Sequence, residues 1–213
     1  MGGDRNKLLL PLLGEPILAW TLRAAEQATA IHWIGLVSQP NDWLNFAAIL
    51  QSLNLSKPVV LIEGGATRQE SVFNGLQALP PDAERVLIHD GARCLATPDL
   101  FNRCAAELQT CDGLIAAIPV KDTIKLADEQ RHVSATPDRS RLWAAQTPQG
   151  FAIELLRACH LKGQQVGLSV TDDAALFEQF GLPVRLVEGE ETNLKVTTPI
   201  DLSLAEFILS QRA

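Results

Sequence analysis

The 213-residue chain lacks the marks of a membrane protein, an exported protein or a nucleic-acid binder. The apolar run near its start, Leu8–Leu13, is six residues long and broken by Pro11. A helix needs about 20 apolar residues to cross a hydrocarbon core, so no span is expected there. No basic stretch followed by a long apolar one opens the chain, so a secretion signal is not expected either. Positive charge is in deficit: 18 Lys and Arg stand against 25 Asp and Glu, giving a net charge of −7. That argues against a nucleic-acid surface as a global property, while leaving room for a local basic pocket. Cysteine is scarce. Cys94, Cys104, Cys111 and Cys159 form no C-x-x-C pair and fit no zinc spacing. Reduced thiols in a cytoplasmic protein are expected. His32, His89, His132 and His160 have no partner at triad-like or metal-like spacing, and no catalytic role is expected for them. Internal repeats, low-complexity segments and linkers are also missing, so residues 1–213 are read as one domain. That length is enough to bury a sheet and its covering helices.

What is present is an alternation of short apolar strands and amphipathic helices. His32–Ser38, Pro58–Ile62, the strand ending at Ile88, Gly113–Val120 and Val184–Val187 read as strands. Ile17–Ala28, Trp43–Leu53, Gln69–Leu79, Pro98–Leu108, Ala152–Leu161, a segment capped by Thr171 and a last one from Pro199 to Leu209 read as helices. This pattern predicts an α/β fold with a mainly parallel sheet. Lys121–Trp143 breaks the rhythm. Thr123–Leu126 and His132–Thr136, joined by a turn at Asp128–Arg131, predict a β-hairpin arm at about residues 121–143. A two-stranded ribbon is marginal alone, which suits an oligomer contact.

Chemistry-bearing residues follow the strands. Gly64, Gly65, Arg68 and Ser71 come after Ile62. Asp90, Gly91 and Arg93 come after Ile88, in His89-Asp90-Gly91-Ala92-Arg93. Thr147 and Gln149 follow Trp143, and Glu188, Glu190, Glu191, Asn193 and Lys195 follow Val187. Ligands in open α/β sheets bind beyond the carboxyl ends of the strands. A glycine-rich loop at a helix start can cradle an anion, Asp90 can hold a metal through carboxylate oxygens, and Arg93 offers a planar fork to phosphate. Taken singly, each loop is also what an ordinary strand-to-helix turn looks like. Taken together, they describe one rim with both charge signs.

The motifs are Arg5-Asn6-Lys7-Leu8-Leu9-Leu10-Pro11-Leu12, Gly64-Gly65-Ala66-Thr67-Arg68-Gln69-Glu70-Ser71-Val72, Ile88-His89-Asp90-Gly91-Ala92-Arg93 and Pro119-Val120-Lys121-Asp122-Thr123. Asp138-Arg139, Leu142-Trp143-Ala144-Ala145-Gln146-Thr147-Pro148-Gln149, Thr171-Asp172-Asp173 and Asn193-Leu194-Lys195-Val196-Thr197 complete them. In this order and spacing the chain resembles the 2-C-methyl-D-erythritol 4-phosphate cytidylyltransferases along its whole length. The resemblance implies a Rossmann-like nucleotidyltransferase fold with the arm inserted, a homodimer built through that arm, and Mg²⁺ dependence. It implies transfer of CMP from CTP to 2-C-methyl-D-erythritol 4-phosphate with release of pyrophosphate, in isoprenoid precursor synthesis.

The resemblance also assigns roles. Lys7, Arg139 and Lys195 are the catalytic cations, and Arg139 and Lys195 position the methylerythritol phosphate. Gly64, Gly65, Ser71, Asp90 and Gly91 bind the nucleotide, with Asp90 also at the metal. Thr147 and Arg93 lie on the substrate side, Arg93 in a substrate-binding or structural role. Neither nucleic acid nor membrane is an implied partner. The compartment is the cytoplasm, or the plastid stroma if the amino end carries a transit peptide.

Three departures accompany the resemblance. Family members open with a strand and a loop of the form P-A-A-G-x-G-x-R-M, and Met1 aligns with its final methionine. The loop would supply amides and a second cation to the triphosphate. The strand is central in the family's sheet, so its neighbours are expected to keep unpaired backbone groups. The expectation is that the true start lies upstream. Gly91 stands where alanine is common, and Ala66 where an acid is common, which leaves one ribose or base contact open. Two alternatives stay open: another polyol phosphate such as ribitol 5-phosphate as substrate, or a remnant that dimerises or binds nucleotide without turnover.

Overall fold

A computed structural model describes residues 6–212. The readings that fall on Met1–Arg5 lie outside the described residues. Asn6 accepts from the Leu8 N–H at 3.0 Å and so caps a single 3-10 turn, Lys7–Leu9. A small antiparallel hairpin follows, β1 (Pro11–Leu12) and β2 (Glu15–Pro16). Then come α1 (Ile17–Gln27), β3 (Ile34–Ser38), α2 (Trp43–Leu53), β4 (Val59–Glu63), α3 (Arg68–Gln77), β5 (Arg85–Ile88), α4 (Pro98–Glu107) and β6 (Gly113–Pro119). The arm is β7 (Leu126–Ala127) and β8 (Val133–Ala135), where the sequence predicts it. The chain ends with β9 (Trp143–Ala152), α5 (Ile153–Gln165), α6 (Asp173–Gln179), β10 (Arg185–Glu188) and α7 (Pro199–Ser210).

Four strands form one sheet in the order β10-β6-β9-β5, and β3 and β4 form a parallel pair. β5 and β6 both run antiparallel to β9, and β10 runs parallel to β6. So β5, β6 and β10 point one way, and β9 alone is reversed. The expectation of a mainly parallel sheet holds. The reading of Thr147 and Gln149 as a loop after Trp143 does not, because Trp143–Ala152 is a ten-residue interior strand. It lacks the β-branched alternation that marks a strand. Its buried polar side chains, Gln146, Thr147 and Gln149, are satisfied by partners far away in sequence. The cap of α6 also moves: Asp172, not Thr171, accepts from the Ala175 N–H at 2.8 Å.

Side-chain alternation along β6 sorts the core into layers. Leu114 and Ala116 face α1 and α4, against Ala24, Leu100, Phe101 and Leu108. Ile115 faces α5 and α6, against Phe151, Leu156 and Phe177. The Phe151 and Phe177 rings pack 4.7 Å apart, within the range of favourable aromatic pairs. Between β3 and β5 lies a cavity of about 960 Å³ whose walls include Leu36, Val37, Val86 and Ile88. Neither strand has a hydrogen-bonded neighbour on that side among the described residues. The polar end of the cavity is formed by Arg68, Ser71, His89 and Asp90.

Candidate nucleotide and phosphate site

The loop after β4 is built by local hydrogen bonds. Thr67 caps α3 by accepting from the Glu70 N–H, and the Glu70 carboxylate reaches back to the Ala66 N–H at 2.7 Å and the Thr67 N–H at 3.3 Å. This capping box pins the start of the helix. The Ser71 hydroxyl accepts from the Gly65 N–H at 3.0 Å and donates to the Thr67 carbonyl at 2.9 Å. Ser71 therefore braces the loop as well as lining the cavity. A Cβ on Gly65 would stand 2.3 Å from the Glu70 Cβ, so this close approach requires glycine. The Gln39 amide donates to the Gly65 carbonyl at 2.9 Å and ties the loop to the end of β3.

After β5, the turn at Asp90 is fixed by a hydrogen-bond chain whose polarity follows from its end. His89 Nε2 lies 3.2 Å from the Arg93 carbonyl, which can only accept. Nε2 therefore carries the proton, and bare Nδ1 accepts from the Thr147 hydroxyl at 2.9 Å. The Thr147 oxygen in turn accepts from the Asp90 N–H at 3.0 Å. Burial holds the imidazole neutral, pulling its pKa down to about 4 despite raising contributions from the Arg93 carbonyl and Asp90. Thr147 is only 4% exposed. Its hydroxyl donates once and accepts once within this chain, so Thr147, expected on the substrate side, also anchors the Asp90 backbone.

Gly91 and Arg93 also make contacts within the protein at this turn. Gly91 packs under Leu8, whose Cδ1 would stand 3.1 Å from an added Cβ, and its carbonyl accepts from Thr21 at 2.8 Å. Its Cα side makes a packing contact, and its carbonyl is held by Thr21. Arg93 donates to the Asn193 carbonyl at 2.7 Å and the Ala145 carbonyl at 3.4 Å, with Nε 3.6 Å from the Asp90 carboxylate. Its two terminal nitrogens each hold a backbone carbonyl, so Arg93 braces the turn against β9 and the loop that follows β10.

Asp90 is the centre of the charge cluster. The Lys195 ammonium lies 2.9 Å from its carboxylate. Burial pushes the Asp90 carboxyl up, but Lys195, Arg93 and Arg68 outweigh it and hold it below the usual carboxylate range. The Lys7 pKa is lowered, first by burial and then by the neighbouring Lys195, with Asp90 and Asp201 opposing. Lys195 is brought here by β9. The Asn193 amide donates to the Gln146 side-chain oxygen at 3.1 Å and the Thr147 carbonyl at 2.9 Å, and the Val196 N–H donates to the Ala92 carbonyl at 2.9 Å. Arg139 is not part of the cluster. It sits at the base of the arm, where it donates to the Lys121 carbonyl at 2.6 Å. Among the described residues it makes no ion pair with Asp90. Lys121 pairs with Glu191 at 2.5 Å, linking the arm to the rim loop.

The sequence reading gave His89 and His160 no role and quoted Asp173 only within a motif. His160 Nε2 lies 3.2 Å from one Asp173 oxygen, and the other stands 2.8 Å from Arg68 Nη2. The Asp173 and Arg68 atoms are close but misaligned for a hydrogen bond. The one available signal was Asp173 in the first turn of a predicted helix.

An α/β sheet that pairs a lysine with a part-buried carboxylate at its strand ends, with a second lysine in electrostatic reach and a glycine loop at a helix start, has the features of a protein that handles nucleotide phosphates. Comparison with known proteins narrows that class. The sequence profile of 2-C-methyl-D-erythritol 4-phosphate cytidylyltransferase matches residues 1–211, and the chain belongs to that family. It is 67% identical to the enzyme of that name from Nostoc punctiforme, covering 100% of this chain and 93% of the relative. It is 64% identical to that from Synechococcus elongatus, covering 99% and 91%. Among solved structures, 4-diphosphocytidyl-2C-methyl-D-erythritol synthase of Anaerococcus prevotii superposes with a TM-score of 0.90 at 35% identity, over 95% of this chain and 93% of that one. The cytidylyltransferase of Thermus thermophilus gives 0.78 at 34%, over 96% and 93%.

Proposed function

We propose that the protein transfers CMP from CTP to 2-C-methyl-D-erythritol 4-phosphate. A phosphate oxygen of the polyol attacks the α-phosphorus of CTP. The bond from that phosphorus to the α–β bridging oxygen breaks, and pyrophosphate leaves. Such a step asks for positioning and charge neutralisation more than for covalent work by the protein. The observation that carries the reading is the Lys195–Asp90 ion pair at 2.9 Å at the strand ends, with Lys7 within electrostatic reach of both. The two ammonium groups supply fixed positive charge where negative charge develops. Lys195 is assigned to the polyol phosphate and Lys7 to the reacting phosphate. The Gly64–Gly65 loop with Ser71 receives the cytidine.

A divalent cation fits this site. No cluster of three or more His, Cys, Asp or Glu ligands occurs among the described residues, but Mg²⁺ is commonly held by one or two carboxylates together with substrate phosphates. Asp90 is the carboxylate that would hold it. The ion would neutralise charge on the triphosphate.

Arg139 stands apart from Asp90 within the protomer, at the base of a hairpin with Leu126 52% and Val133 63% exposed. A second copy of the chain covering this arm is the partner we propose. The four cysteines are free, and burial raises their pKa, to about 11 for Cys94 and about 12 for Cys104. This is consistent with a reducing cytoplasm. No helix among the described residues is long and apolar enough to cross a membrane.

Pyrophosphate release with CTP and Mg²⁺ tests the reading, comparing methylerythritol phosphate with ribitol 5-phosphate. Faster turnover of the former is expected. Preference for ribitol 5-phosphate, or CTP binding without turnover of either, overturns it.

A further inference from the structure

Resting on that function, we infer that Arg68 is an anion-binding residue of the nucleotide side, and that buried Asp173, backed by His160, positions it. Three observations from different parts of the chain meet here. Arg68 is the first residue of α3, directly after the Gly64–Gly65 loop assigned to the cytidine. Its side chain lines the polar end of the cavity with Ser71 and Asp90, and its charge reaches Asp90. Among the described residues only one nitrogen of the guanidinium is engaged, Nη2 against Asp173 at 2.8 Å, and the side chain remains 39% exposed. The planar fork therefore has donors to spare for a phosphate or carboxylate.

The support behind Arg68 is costly and specific. Asp173 is 2% exposed in its side chain and His160 is fully buried. Among the described residues His160 Nδ1 has no partner. Burying two ionisable groups that are incompletely satisfied is unfavourable unless they hold something in place. What they hold is the cation at the cavity. Asp173 lies on α6, His160 on α5 and Arg68 on α3, so the contact ties three elements to one guanidinium. The neighbouring Asp172 is used differently, capping α6 and accepting from the Gln149 amide at 2.9 Å. The two adjacent acids thus divide the work, one for the helix and one for the arginine.

The test is a double-mutant cycle on full-length protein, with CTP and methylerythritol phosphate varied separately and melting temperature recorded. Asp173→Asn keeps the volume of the side chain and an oxygen for His160 while removing the charge. It is expected to raise KM for CTP about tenfold, the loss of one charge-assisted contact, with KM for the polyol phosphate within about twofold. Arg68→Gln should raise KM for CTP at least as much, and Arg68→Lys less. The double variant should be no worse than Arg68→Gln alone, because Asp173 acts through Arg68. A structural role alone would lower the melting temperature and the active fraction without moving KM for CTP, and that result overturns the inference. So does a double variant whose effects multiply. If Asp173→Asn does not fold, an unchanged KM for CTP in Arg68→Gln overturns it by itself. Wild-type protein that fails to turn over CTP sinks the functional reading, and this inference with it. A working wild type with independent variants sinks this inference alone.

Discussion

Replacing Thr147 by valine separates a positioning role from a substrate-binding one. Valine matches threonine in shape and removes only the hydroxyl. In the fold that hydroxyl accepts from the Asp90 N–H at 3.0 Å and donates to His89 Nδ1 at 2.9 Å. The site is nearly closed to solvent, so water cannot easily replace either bond. An unsatisfied buried polar group costs about 1–3 kcal/mol. Two such groups, less the desolvation relieved by removing the hydroxyl itself, give a loss of about 2–3 kcal/mol. For a chain of this length each kcal/mol lowers Tm by roughly 2–4 °C, so a drop of about 4–12 °C is expected in calorimetry. Asp90 loses its anchor, and kcat should fall by about 10–100-fold, in the range for a misplaced catalytic group. KM for methylerythritol phosphate should change little. Thr147→Ser restores the hydroxyl and should recover most of both losses. An unchanged Tm, together with a raised KM for the polyol phosphate and an intact kcat, would mean that Thr147 faces the substrate, and the argument from the hydrogen-bond chain would be wrong.

His89 gives a pH dependence whose sign follows from its neutral state. Its folded pKa is pulled to about 4, below an ordinary value of about 6.5. The unfolded chain takes up a proton as pH falls through that ordinary value, while the folded chain does not until about pH 4. Stability is therefore fully present above pH 6.5 and is lost between there and pH 4, by about 3 kcal/mol. Denaturant titrations should show this, and His89→Gln should flatten that part of the curve; a slope unchanged in His89→Gln would assign it to other groups. Lys195→Ala removes a cation that holds the Asp90 carboxyl down, so burial prevails and the acid limb of the rate profile should move to higher pH. An acid limb that stays in place would show that Asp90 does not control it. Gly65→Ala meets Glu70 at a distance no real Cβ tolerates and should dismantle the loop, raising KM for CTP at least tenfold. Gly91→Ala meets only a flexible end of Leu8 and should cost about 1 kcal/mol or less with activity retained. Equal effects of the two glycine substitutions would contradict the division between them.

Much of the fold was legible because its signals are local. α2 runs from Trp43 to Leu53 as its periodicity predicts, and Thr67 with Glu70 forms the box that caps α3. Lys195 and Asp90 meet where two strand ends were expected to face one rim. The failures share a cause. β9 has no strand-like pattern, because its buried Gln146, Thr147 and Gln149 answer to partners on other elements: Asn193, His89 and Asp172. Pattern reading assigns such polar residues to a loop. His89 and His160 looked idle for the same reason. Thr147 lies 58 positions from His89, and Asp173 lies 13 from His160 across a helix–helix packing contact.

The same non-local logic explains why β9 matters to the chemistry. A reversed strand places its amino-terminal half beside the carboxyl ends of its parallel neighbours, which is where ligands bind in open sheets. Thr147 can therefore reach across to the turn after β5 while Gln146 and the Thr147 carbonyl reach the loop after β10. One interior strand thereby fixes both Asp90 and the segment carrying Lys195, on opposite sides of itself. If β9 were parallel to its neighbours, its loop alone would lie at that edge, and the two charges would depend on a flexible connection. The polar composition that hid this strand from a periodicity argument is therefore the property that lets it organise the site. Apolar side chains at Gln146 and Thr147 would suit a core better but would leave Asp90 and Lys195 unregistered.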